Sequence, residues 1–134
     1  GLAGWTDPDN RRTFPWGNEN LELLNFHKEV IKIRKNFPVL RNGSCRFIYS
    51  DYGIAAVTRF DDSIQITAVF NNCDEDKTIS LPIWLSGADT QGSAVSILES
   101  ERDSFNTEAK TYKIHDGNIE ITIKSYGCII LKSE

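Results

Sequence analysis

The sequence has 134 residues, enough for one domain of ordinary size that buries its own core without disulfide or metal staples. With 25% charged and 40% hydrophobic residues, it has the composition of a folded globular protein rather than a disordered segment. A net charge of -4, with Lys and Arg scattered rather than clustered, excludes the basic stripe that nucleic acid or an anionic membrane surface would need, so neither is expected as a partner.

The N-terminal twenty residues read as loop, because Gly1, Gly4, Pro8, Pro15 and Gly17 punctuate a stretch without a steady apolar period. They also hold Trp5, Phe14 and Trp16, large aromatics that a flexible tether has no reason to carry. From Leu21 to Phe37 the pattern turns helical, with Leu23, Phe26, Val30, Ile33 and Phe37 on one stripe. Asn18 or Asn20 caps its start, and Pro38 with Asn42-Gly43 ends it. Leu24 and Ile31 fall outside the stripe and widen the apolar arc beyond the roughly 100° of a simple surface helix. Such a helix wants two packing partners. The chain is therefore expected either to fold its N-terminal loop back over the helix or to pair with another copy through it.

After Gly43 the apolar period becomes two, and short segments at 47–50, 54–60, 63–71, 78–81, 94–99, 112–115, 119–124 and 128–131 read as strands. Asp61-Asp62 and Asp116-Gly117 suit tight turns, while 86–93 and 100–110 are polar and read as loop. About eight strands with no helix among them predict a mainly β protein, an antiparallel two-sheet β-sandwich. Alternation in the third and seventh segments predicts that Ile64, Ile66, Phe70, Ile121 and Ile123 are buried.

Chemistry-bearing residues are few. Cys45, Cys73 and Cys128 are odd in number and far apart, so they suggest small hydrophobes rather than a disulfide framework or metal site. Free thiols favour a reducing compartment, and cytoplasmic over secreted, in keeping with residues 1–4, which lack the charged and apolar regions of a signal peptide. His27, within the apolar arc and without a ligand partner at suitable spacing, reads as a buried structural histidine. Asp74-Glu75-Asp76 reads as a solvated loop. No metal ligand set, cofactor fingerprint or nucleophile motif is present. The densest polar stretch is Asp7-Pro8-Asp9-Asn10-Arg11-Arg12, which lacks the spacing of opposed glycosidic carboxylates and the glycine and terminal Glu of a calcium loop.

This stretch, continued as Thr13-Phe14-Pro15-Trp16, resembles the loop after the last barrel strands in the α-amylase family of glycoside hydrolases. The resemblance extends through Arg34-Lys35-Asn36-Phe37-Pro38-Val39-Leu40-Arg41-Asn42-Gly43, which is similar to the family's barrel exit, and it is to the cyclomaltodextrinase, neopullulanase and maltogenic amylase group. It implies three parts: residues 1–20, a substrate-side loop of the catalytic barrel; residues 21–42, one long α-helix left over from a (β/α)8 barrel, with its exit; and residues 43–134, the C-terminal β-sandwich domain. It also implies that Asp7 and Arg11 hydrogen-bond a glucose unit of an α-glucan oligosaccharide, and that the parent is a retaining α-glycosidase. The nucleophilic Asp and acid/base Glu of that family would stand upstream of residue 1, leaving no catalytic residue in this chain and making the barrel of the same polypeptide its partner. The competing readings are an independent carbohydrate-binding module using Trp5, Trp16 and Trp84, or an unrelated interaction module.

Overall fold

The computed structural model describes residues 4–133, and within them the loop runs from Gly4 to Asn20. Residues 1–3, which belong to the stretch read above as lacking a signal peptide, and residue 134 lie outside the described residues. Helix α1 (Leu21–Asn36) starts where Asn20 accepts the Leu23 amide at 3.0 Å on its side-chain oxygen. Glu22 in its first turn and Arg34 and Lys35 in its last complement the dipole. Pro38 disfavours helical geometry at Phe37, which is extended, and a single turn α2 (Val39–Asn42) leads into the sheets.

Nine strands follow among the described residues: β1 (Ser44–Asp51), β2 (Ile54–Phe60), β3 (Gln65–Asn71), β4 (Lys77–Leu81), β5 (Gly92–Ser100), β6 (Phe105–Asn106), β7 (Thr111–Ile114), β8 (Ile119–Ile123) and β9 (Cys128–Ser133). All pair antiparallel. Seven form a sheet in the order β1-β2-β3-β9-β5-β6, with β7 also on β5, and β4 and β8 form a second sheet of two. The expected two-sheet architecture is therefore present, but divided seven to two.

The large sheet is covered on both faces. On one, Ile48, Ala56, Val69, Ala94, Ile129 and Leu131 meet Ile79, Leu81, Ile119, Ile121 and Ile123 of the small sheet. On the other, Phe26, Val30 and Ile33 of α1, with Phe37 just after it, pack on Leu98, Phe105, Cys128 and Ile130. Four members of the stripe predicted from the sequence form the face that docks, whereas the fifth, Leu23, is 38% exposed. A register shift between Ser96 and Leu98 lets β5 turn Leu98 toward the helix.

Two-sided cover explains where the sequence reading fails. In β3, Gln65, Thr67 and Val69 face the small sheet, whereas Ile66 and Phe70 belong to the helix face, on which Phe70 pairs with Cys128 and Ile66 with Lys132. Ile66, Ile121 and Ile123 are buried as expected. Phe70 is 45% exposed and is not part of the cluster under α1, and Ile64 precedes the strand, half-buried. The polar segment 100–110 contains β6 rather than loop alone. All three cysteines are free, Cys128 buried and Cys73 half-buried, but Cys45 is exposed.

The two sheets are fastened at one corner. Asn71 is 3% exposed, and its amide donates to the carbonyls of Glu75 at 2.8 Å, Lys124 at 3.0 Å and Ile123 at 3.2 Å, while its oxygen accepts from the Cys73 amide at 2.9 Å. Asp76 extends the corner by accepting from Lys124 Nζ at 2.7 Å and the Ser125 amide at 2.9 Å. These bonds hold the Asp76 carboxyl below its usual range, the lysine contributing most.

Replacing Leu98, fully buried under α1, with Ala should cost about 2–5 kcal/mol in urea denaturation, whereas Ile31→Ala, at a site 52% exposed, should stay within about 0.5 kcal/mol. Equal losses would contradict the assignment of faces. Because the folded Asp76 pKa is depressed, its contribution is present above the unfolded carboxyl pKa and disappears as pH falls through the folded value. Asp76→Asn should therefore lower the urea midpoint at neutral pH and leave it nearly unchanged once carboxyls are protonated; the same decrement at both pH values would rule out the charge as its cause.

Candidate functional site

Loop 4–20 bends back on itself. A side chain at Gly4 would collide with the Asn10 backbone, its Cβ falling 2.8 Å from Asn10 Cα, so this close approach requires glycine. The Arg11 amide donates to the Pro8 carbonyl at 2.9 Å, closing a turn that brings Arg11 beside Asp7. The two candidate binding residues thus form an ion pair, Arg11 Nε to Asp7 Oδ1 at 2.5 Å, with side chains 75% and 55% exposed. Only one carboxylate oxygen and one edge of the guanidinium are engaged, leaving acceptors and donors directed to solvent.

The aromatics beside this pair are not in a core. Trp5 is 89% and Trp16 81% exposed, and Phe14 makes an edge contact with Trp16 at 4.7 Å between ring centres. Phe14 and Pro15 reach the helix and, with Leu23, Leu24 and His27, line a cleft of about 460 Å³. His27 is exposed rather than buried, its Nδ1 donating to the Leu23 carbonyl at 2.8 Å. It sits at the edge of the arc, not beneath the helix. Trp84 lies elsewhere, half-exposed on a 3-10 turn (Ile83–Ser86) packed against Gly117.

The second half of the compound motif acts on the backbone. Arg41 Nη1 donates to the carbonyls of Arg34 at 2.6 Å and Lys35 at 3.1 Å, and Arg34 Nη1 donates to Leu40 at 2.9 Å. Two carbonyls orphaned by the end of α1, those of Arg34 and Lys35, are thereby satisfied. Asp74-Glu75-Asp76 behaves as a solvated turn, with Glu75 paired to Lys77 at 3.1 Å and Asp76 to Lys124. Among the described residues no group of His, Cys, Asp or Glu is placed to hold a metal ion. The sequence reading missed Asn71, since an asparagine in a strand carries no signal that separates a buried fastener from a surface residue.

No family model matches the chain. An amylopullulanase of Thermoanaerobacterium saccharolyticum is 33% identical over 147 residues, an alignment that takes in 100% of this chain and 11% of that protein. Neopullulanase 2 of Thermoactinomyces vulgaris is 34% identical over 67% of the chain and 16% of its own length. A cyclomaltodextrinase of Geobacillus thermopakistaniensis is 27% identical over 100% of the chain and 21% of its own. The chain thus spans between 11% and 21% of the length of these relatives. Among solved structures, an α-amylase of Geobacillus thermoleovorans superposes with a TM-score of 0.79 at 17% identity, over 99% of this chain and 27% of that one. A cyclomaltodextrinase superposes at 0.74 and 23% identity, over 100% and 21%. Both share the fold.

An exposed ion pair contributes little to folding, so Asp7→Ala and Arg11→Ala should each leave the melting and urea profiles of this chain within about 0.5 kcal/mol of the unaltered protein. A larger loss in either would make the pair a structural clasp.

Proposed function

We propose, from the premise that this chain belongs to the α-amylase family of glycoside hydrolases, that it serves as the non-catalytic C-terminal domain of an α-glucan hydrolase. In this reading residues 1–20 form a loop on the substrate side of a catalytic barrel, residues 21–42 the last barrel helix with its exit, and residues 43–134 the sandwich that braces it. The observation that carries it is the alignment of the whole chain, loop, helix and sandwich together, with a small part of an amylopullulanase. A free-standing sandwich module would leave the loop and helix without a counterpart.

The chemistry of Asp7 and Arg11 supports a sugar contact. A carboxylate accepts from paired hydroxyls, and a guanidinium donates as a planar fork. Their mutual ion pair sets both in place before a ligand arrives, so little side-chain entropy is lost on binding. The catalytic carboxylates of the parent belong to another part of the polypeptide. There, a retaining mechanism uses one carboxylate as nucleophile and a second carboxylic acid to protonate the leaving oxygen, the two about 5 Å apart. Asp7 and Asp9 are two residues apart on one exposed turn and do not face each other across a bond-sized gap.

The isolated chain should release no reducing sugar from cyclodextrin, pullulan or soluble starch; release abolished by a substitution within these 134 residues would overturn the non-catalytic reading. In the longer enzyme, Asp7→Ala or Arg11→Ala should lower kcat/KM on a maltooligosaccharide about ten- to a hundredfold, the worth of one hydrogen bond to a charged group. Unchanged kinetics in both variants would remove the loop from the substrate site.

A further inference from the structure

Between the start of α1 and the turns at one end of the large sheet lies a cleft of about 380 Å³, within the range of small-molecule sites. Leu23 and Phe26 form its apolar wall, Phe26 edge-on to Phe105 at 5.6 Å between ring centres. Tyr126 lines it while 44% exposed, with the Arg102 guanidinium 4.5 Å from its ring centre. Glu22, Glu101, Arg102 and Asp103 bring charge to the rim; Glu101 accepts from the Ser104 hydroxyl at 2.7 Å, and among the described residues the side chains of the other three make no hydrogen bond or ion pair.

Tyr126 occupies a costly backbone position. Its φ of 51° lies in the left-handed region, within a turn closed by the Gly127 amide on the Lys124 carbonyl at 2.9 Å. Glycine would adopt this geometry without penalty. The surroundings enforce it: the Tyr126 amide donates to the Cys73 carbonyl at 3.0 Å, Asp76 accepts from Ser125, and Asn71 binds the Lys124 carbonyl. What tyrosine adds over glycine here is a ring in the cleft, and strain of this kind concentrates at binding sites.

We propose that this cleft is a second saccharide-binding site, separate from the Asp7–Arg11 loop, taking a short maltooligosaccharide with one glucose ring against Tyr126. The preference for a neutral polyhydroxylated ligand follows from the cleft. Its lining sets three carboxylates, Glu22, Glu101 and Asp103, against the single guanidinium of Arg102, so an anion is disfavoured, whereas vicinal hydroxyls meet both the carboxylate acceptors and the guanidinium donors. The aromatic wall suits the apolar C–H face of a sugar ring. The choice of α-linked glucose rests on the function proposed above.

The test is a 15N NMR titration of this chain with maltotriose, and with cellotriose as the β-linked counterpart. Expected are saturable shifts at the amides of residues 20–23, 101–105 and 126, with a dissociation constant on the order of millimolar. Tyr126→Gly should keep or raise the melting temperature and weaken binding about tenfold or more, and Arg102→Ala should weaken it several-fold. No saturable shift, an equal response to cellotriose, or unaltered binding in both Tyr126→Gly and Arg102→Ala would overturn the proposal. Each of these outcomes leaves the kinetics of Asp7→Ala in the longer enzyme as a separate readout of the proposed function.

Discussion

Strand β9 presents apolar side chains to both of its faces, Cys128 and Ile130 toward α1 and Ile129 and Leu131 toward the small sheet. A strand with one wet face alternates apolar and polar; a strand covered twice reads as a continuous apolar run. The run Cys128-Ile129-Ile130-Leu131 is the second kind, and two separate cores therefore share one backbone ladder. The helix is bound to the sandwich through this strand and through Leu98 of β5, with which Ile130 is in register. Loosening β9 would release the helix and the small sheet together.

Shared burial also decides where polar groups go. Thr58, Gln65, Thr67 and Ser133 are buried on the large sheet, and they are matched in cross-strand pairs: Thr67 donates to Thr58 at 3.1 Å, and Ser133 to Gln65 at 3.2 Å. A buried hydroxyl or amide left single would cost about 1–3 kcal/mol, so these residues are tolerable because they occur opposite one another. Asn71, on the large sheet, follows the same rule, its amide hydrogens shared among the carbonyl of Ile123 in β8 and those of Glu75 and Lys124 in the adjoining turns. Tyr112 does so at the other side of the core, donating to Glu99 at 2.7 Å; burial raises its phenol pKa well above the usual range, with the carboxylate adding to the shift.

Periodicity made the helix legible, because Phe26, Val30, Ile33 and Phe37 lie on one stripe and a stripe has one best way to dock. The strands were legible for the same reason. The facing of β3 was not. Its odd set is buried throughout although it holds Gln65, Thr67 and Asn71, while its apolar even set runs from buried Ile66 to exposed Phe70, so the side that alternation marks as apolar is not the side most deeply covered. His27 misled for a related reason: an apolar arc half a circumference wide has edges, and an edge residue faces solvent. Asn71, Tyr126 and Arg102 are brought together by turns from three parts of the chain, and no local pattern records a meeting of that kind.

The motif that carries the family resemblance divides into halves with different physics. Arg41 spends its donors on the Arg34 and Lys35 carbonyls at the end of α1, and Arg34 on the Leu40 carbonyl of α2, uses that any helix ending beside a proline would reward. Asp7 and Arg11 spend theirs only on each other, in water, where an ion pair contributes almost nothing to folding. Stability accounts for the first pair and leaves the second unexplained. A constraint that does no folding work and yet fixes a fork of donors beside a carboxylate is what recognition of a polyol needs, and it is on this ground, rather than on the fold, that the proposed sugar contact stands.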